Sequence, residues 1–174
     1  MGNCRSIIHT LPDEQIAIIE EETGCRGYLD RDDFFAIREL AVNPLGDRII
    51  DAFFDEAHEP DGKMTFEDFA RVLAHFRPCK DNEETGVNSR RNKLKFAFAM
   101  YDLNKNGYIT RHEFKVILIM MIGPQVSDQE LECITDRTMQ EGDYVKDGQI
   151  SFEEFSRAME RLHIEELMSI RFED

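Results

Sequence analysis

The sequence predicts an all-α protein: four helix–loop–helix units paired into two lobes, with short two-strand bridges between the paired loops. Three observations carry this. A loop pattern recurs four times, apolar residues flank it at helical spacing, and one polar, aperiodic stretch divides the chain near its middle.

The repeat is clearest where Gly107-Tyr108-Ile109-Thr110-Arg111-His112-Glu113-Phe114 echoes Gly27-Tyr28-Leu29-Asp30-Arg31-Asp32-Asp33-Phe34. The same outline returns from Gly62 to Phe69 and from Gly148 to Phe155. Each copy runs from a glycine, through an apolar residue two places on, to an acid followed by phenylalanine. The four glycines stand 35, 45 and 41 residues apart, room for two helices and a loop in each unit. Before the third loop, Leu94, Ala97, Phe98 and Tyr101 fall at i, i+3, i+4 and i+7, one face of an entering helix. Residues 114–122 carry the exit helix, which Gly123-Pro124 ends. The stretch 78–86 is polar and aperiodic and reads as a linker. The expected organisation is an N-terminal segment at 1–10, an N-lobe at 11–77, a linker at 78–92 and a C-lobe with its tail at 93–174.

Charge narrows the function classes. Asp and Glu number 36 against 21 Lys and Arg, a formal net charge of −15, which phosphate backbones would repel. Such a chain suits cations or a basic partner segment. Cys4, Cys25, Cys79 and Cys133 are scattered, with no C-x-x-C pair, so neither a disulfide framework nor a zinc site is expected. No apolar run approaches the roughly 20 residues of a membrane span, and no secretory signal opens the chain. The histidines show no spacing to a nucleophile or metal set, so no enzyme is expected.

A calcium loop of twelve residues supplies oxygens from positions 1, 3, 5, 7 (through a carbonyl), 9 and 12, with glycine at 6. In the third loop these are Asp102, Asn104, Asn106, the carbonyl of Tyr108, Thr110 and Glu113, with Gly107 at the turn. Only two of them are carboxylates, which should moderate the attraction for the ion. In the fourth loop Asp143, Asp147, the Gln149 carbonyl, Ser151 and Glu154 stand in place, but position 3 is Val145, which has no side-chain oxygen. Two readings stand there: a weakened calcium site in which water fills the gap, or a metal-free partner loop. The second loop has Ala57 at position 1, Pro60 within it and the shorter Asp68 at 12; the first has Glu22, Gly24 and Arg26 at positions 1, 3 and 5. Both are expected to be metal-free, with Asp30 and Asp33 as solvated surface acids. One or two calcium ions are therefore expected, both in the C-lobe.

Met1-Gly2-Asn3-Cys4-Arg5-Ser6 fits the N-myristoylation pattern, with Gly2 as the acceptor. One such chain binds membranes marginally, and the net negative charge opposes an anionic leaflet. A second attachment is needed: palmitate on Cys4, or a membrane-embedded protein partner. Thr10 reads as the N-cap of a first helix that Gly24 ends.

Residues 116–122 are seven apolar residues in a row, Val116-Ile117-Leu118-Ile119-Met120-Met121-Ile122. A helix apolar all round is covered all round. Either the paired units bury it, or one face packs within the lobe while the other lines a groove for an amphipathic helix. The second reading is preferred because methionine repacks readily around a partner. The candidate groove residues are Phe96, Met100, Val116, Ile119 and Met120.

From about residue 40 to 172 the chain resembles the calcineurin B homologous proteins. The resemblance rests on Ala41-Val42-Asn43-Pro44-Leu45-Gly46-Asp47-Arg48-Ile49-Ile50, on Leu73-Ala74-His75-Phe76-Arg77-Pro78, and on Asn88-Ser89-Arg90-Arg91-Asn92-Lys93-Leu94. Asp136-Arg137-Thr138 and the closing Met168-Ser169-Ile170-Arg171-Phe172 add to it. It implies an N-myristoylated EF-hand regulator with calcium in both C-lobe loops. It also implies that a juxtamembrane amphipathic helix of a Na⁺/H⁺ exchanger lies in the groove, supporting the exchanger's surface stability and pH response. The implied location is cytoplasmic, peripheral on the inner face of the plasma membrane, with the nucleus and secretory-pathway membranes as further places. The first unit departs from the family: about one helix is missing before Gly27, and residues 11–23 would have to stand in for it. The nearest rival is a calcineurin B-type phosphatase regulator meeting the calcineurin catalytic subunit, of which four working loops would be expected. A myristoylated calcium sensor is the third reading.

Overall fold

The computed structural model describes residues 26–57, 62–77, 86 and 88–168. The acylation motif at Gly2 and Cys4, the helix capped by Thr10 and most of the 78–92 linker lie outside the described residues.

Local sequence sets the elements. Strand β1 (Tyr28–Leu29) is followed by α1 (Arg31–Ala36) and α2 (Arg38–Ala41). Then come α3 (Gly46–Ala57), β2 (Met64–Thr65), α4 (Phe66–Leu73) and a 3₁₀ turn at Ala74–Phe76. The second half holds α5 (Arg90–Tyr101), β3 (Tyr108–Thr110), α6 (Arg111–Ile122), α7 (Asp128–Gly142), β4 (Gln149–Ser151), α8 (Phe152–Ala158) and α9 (Ile164–Leu167). Each loop pair is bridged by an antiparallel ribbon, β1 with β2 and β3 with β4, and Ile109 stands opposite Ile150. The paired architecture is the one the repeats predict.

Loop positions 9 and 12 double as the cap of the following helix. Thr110 with Glu113, Ser151 with Glu154 and Asp30 with Asp33 each form a reciprocal capping box. The same three-residue spacing therefore starts the exit helix and aims an acid into the loop. Gly123, at φ 70°, ends α6 as expected.

Two cores meet at α5. Phe34, Phe53, Phe54 and Phe69 fill the N-lobe, joined by Phe96 from α5, whose ring centroid lies 5.6 Å from Phe53 and 5.1 Å from Phe76. Leu94, Ala97 and Phe98 on the other side of α5 pack with Ile109, Met139, Ile150 and Phe155 in the C-lobe. Helix α5 thus belongs to both lobes. It also begins at Arg90 under a Ser89 cap, so residues 90–92 are helix rather than linker. Among the described residues no helix is long and apolar enough to cross a membrane.

Polar contacts seal the seam between lobes. Arg48 of α3 donates to the carbonyls of Ala99 and Met100, both at 3.1 Å, at the end of α5. The fully buried Lys93 donates to the carbonyls of Arg77 at 2.7 Å and Met168 at 2.8 Å. Such donors to carbonyls that end a helix or leave a chain segment satisfy acceptors that burial would otherwise strand.

Candidate calcium loops and an exposed helix face

The third loop leaves α5 at Asp102 and returns to α6 at Glu113. Both carboxylates are buried. Asp102 accepts from the amides of Asn106 at 3.1 Å and Gly107 at 2.7 Å; the turn between requires Gly107 at φ +86°. Asn104 accepts from the amide of Asn106 at 3.0 Å, and Asn106 from that of Tyr108 at 2.9 Å. Glu113 accepts from the amide of Asn104 at 3.1 Å, the amide of Thr110 at 2.8 Å and the Thr110 hydroxyl at 2.6 Å. Burial alone pushes the Glu113 carboxyl up. The hydrogen bonds from Thr110, Asn104 and Leu103 outweigh it and hold the group below its ordinary value, hence ionised.

Among the described residues no three His, Cys, Asp or Glu side chains converge on one metal position. An EF-hand loop does not need them to, since it mixes carboxylates with amide, hydroxyl and carbonyl oxygens. The oxygen set of Asp102, Asn104, Asn106, Tyr108, Thr110 and Glu113 fits a hard cation of calcium's size, which would neutralise the two carboxylates and draw the loop's oxygens inward.

The fourth loop copies the frame. Asp143 accepts from the amides of Lys146, Asp147 and Gly148 at 2.6, 3.1 and 2.7 Å. Glu154 accepts from the amides of Val145 at 3.0 Å and Ser151 at 2.9 Å, and from the Ser151 hydroxyl at 2.8 Å. Burial raises its pKa, and these bonds overcome that and lower it. Asp147 accepts from the amide of Gln149 at 3.1 Å. Val145 projects outward, 71% exposed, and leaves position 3 without an oxygen.

The N-lobe loops differ in kind. Asp30 and Asp33 are not free surface acids: the Arg26 guanidinium bridges them, at 2.9 Å and 2.5 Å. That corrects the expectation of Asp30 and Asp33 as merely solvated surface acids. Asp68, in the second loop, is held by Arg71 at 2.6 Å.

The apolar run on α6 is only partly covered. Ile117 is buried; Val116, Leu118, Met120 and Ile122 are half-buried; Ile119 is 45% and Met121 50% exposed. Helix α7 packs alongside, tied to α6 by Lys115 and Arg111 to Glu132 and by Arg111 to Asp136, and it leaves Ile134 exposed. Of the candidate groove residues, Val116, Ile119 and Met120 lie on this face. Phe96 does not: it is spent in the N-lobe core, and Met100 packs against the same core. Met121, on the side of α6 opposite Ile119, and Ile134 are exposed as well, and their exposure depends on how α6 and α7 pair.

A family model described as an EF-hand domain pair matches residues 91–160, the two C-lobe units. Over 145 residues the chain is 40% identical to the calcineurin B subunit of Naegleria gruberi, covering 83% of this chain and 76% of that one. The chain belongs to the calcineurin B-like family of EF-hand proteins. The calcineurin B subunit of Candida glabrata is 34% identical over 146 residues, 84% of this chain and 77% of the relative. That of Yarrowia lipolytica is 34% identical over 149 residues, with 86% and 80% covered. As a calcineurin B-like protein the chain is a calcium-binding regulator rather than a catalyst.

Proposed function

We propose that this calcineurin B-like chain is a regulatory subunit that binds calcium through its C-lobe and grips an amphipathic helix of a phosphatase catalytic subunit of the calcineurin type. The observation that carries it is the side of α6 that Val116, Ile119 and Met120 share: Ile119 stays exposed there between half-buried Val116 and Met120. An unshielded apolar strip of this kind on a charged protein marks a partner surface. The curated relatives are by name the B subunit of calcineurin, which gives that partner class its weight.

A second reading replaces the phosphatase helix with the juxtamembrane helix of a Na⁺/H⁺ exchanger. It is favoured by the segments at 41–50 and 168–172 and by the Gly2 acylation motif with Cys4 beside it, which would place the chain on the cytoplasmic face of a membrane. Both readings use the same groove.

Calorimetry separates them. The whole chain, with calcium, is titrated with a peptide of each helix. The phosphatase helix should bind more tightly, and Ile119→Ser and Met120→Ser should each weaken it by about tenfold, the effect of unburying an apolar contact. Tighter binding of the exchanger helix would transfer the function to the second reading. Binding of neither, or no loss in the variants, would remove the groove.

A further inference from the structure

We propose that Arg26 is the resident cation of the first loop, standing in for a metal ion, so that the N-lobe holds its loop geometry without calcium. In the first loop Gly27 turns the chain at φ +76°, β1 pairs with β2, and Asp30 and Asp33 form the capping box of α1. These are the same devices that shape the third loop. Two carboxylates at positions 9 and 12 then lie within reach of one guanidinium, and a positive charge between them relieves their mutual repulsion. The Arg26 guanidinium supplies it, with Nη1 on Asp30 at 2.9 Å and Nη2 on Asp33 at 2.5 Å. Its planar fork reaches two acids at once and keeps its charge at every accessible pH.

The contrast between lobes supports the assignment. Both N-lobe acids at position 12 carry an arginine, Asp33 from Arg26 and Asp68 from Arg71. Among the described residues, neither Glu113 nor Glu154 pairs with a lysine or arginine; both accept only hydroxyl and amide hydrogen bonds. The C-lobe acids are thus left for an ion and the N-lobe acids are not. Asp30 follows the same pattern. Burial works to raise its pKa, but the amide of Asp33 and the Arg26 charge bring it below the ordinary value. The consequence is a division of labour: a permanently set N-lobe pins α5 through Arg48, and calcium acts on the C-lobe.

The test is hydrogen exchange of the whole chain, in chelator, at Tyr28, Leu29, Met64 and Thr65, comparing wild type with Arg26→Met and Arg26→Lys. Arg26→Met keeps the stem and removes the charge; exchange at the β1–β2 ribbon should speed up about tenfold, with β3–β4 unchanged. Arg26→Lys should fall between. Wild-type protection in Arg26→Met, or Arg26→Lys no better than Arg26→Met, would overturn the proposal. Should Arg26→Met fail to fold, the Asp30 titration by NMR in wild type and Arg26→Lys still decides it: a midpoint that rises when the guanidinium fork is lost supports the proposal, and an unchanged midpoint, set by the capping amides alone, overturns it.

Discussion

The third and fourth loops share one hydrogen-bond frame and differ in what it can hold. In each, the position-1 aspartate gathers the amides of the turn and the position-12 glutamate folds back on the cap residue. At position 3, Asn104 offers an oxygen and Val145 offers none. Yet the fourth loop has three carboxylates among its candidate ligands, Asp143, Asp147 and Glu154, where the third has only Asp102 and Glu113. The frame is therefore written by positions 1, 6, 9 and 12, and affinity by the whole oxygen set. Loop shape and metal binding are separable properties of the same twelve residues.

Exchanging position 3 should change the two loops most strongly. Val145→Asp adds an oxygen and a charge to a preformed loop, and calcium affinity there should rise about a hundredfold, measured by calorimetry. Asn104→Val is the mirror experiment: the third loop should lose roughly tenfold while its backbone frame, read from amide chemical shifts, is retained. A smaller effect is expected from Arg48→Ala. Arg48 steadies the carbonyls of Ala99 and Met100 just before Asp102, so its loss should weaken the third loop by about three- to fivefold and spare the fourth.

The smallest effect concerns pH. Glu132, hydrogen-bonded by Lys115 and then Arg111, has its pKa lowered to about 2, against an unfolded value near 4.3. Folded, it binds fewer protons, so its contribution is complete above roughly pH 4.3 and fades as pH falls towards 2. Glu132→Gln should lower the melting midpoint by about a degree at pH 7, since exposed charge pairs contribute little, and the difference should vanish near pH 2.

Most of the fold was legible because its signals are local. The turn glycines, the capping-box spacing and the face of Leu94, Ala97, Phe98 and Tyr101 lie within a few residues of one another. The ligand assignments in the third and fourth loops follow from the same fixed spacing. What could not be read depends on how distant segments dock. Phe96 stands off the main face of α5, which suggested a free groove residue, but the N-lobe packs on that side and covers it. Arg48 and Lys93 cap carbonyls about 50 and 75 residues away, and no periodicity announces that. Arg26 was visible at its loop position, but its reach was not: a flexible side chain folded back onto Asp30 and Asp33 and bridged them.

The most direct measurement is a calcium titration by calorimetry of the whole chain beside Glu113→Gln and Glu154→Gln, each of which removes a bidentate ligand. One tighter class of site is expected, abolished by Glu113→Gln and intact in Glu154→Gln, with one weaker class of the opposite dependence. A tight site that survives Glu113→Gln, or a wild-type chain that takes up no calcium, would contradict it.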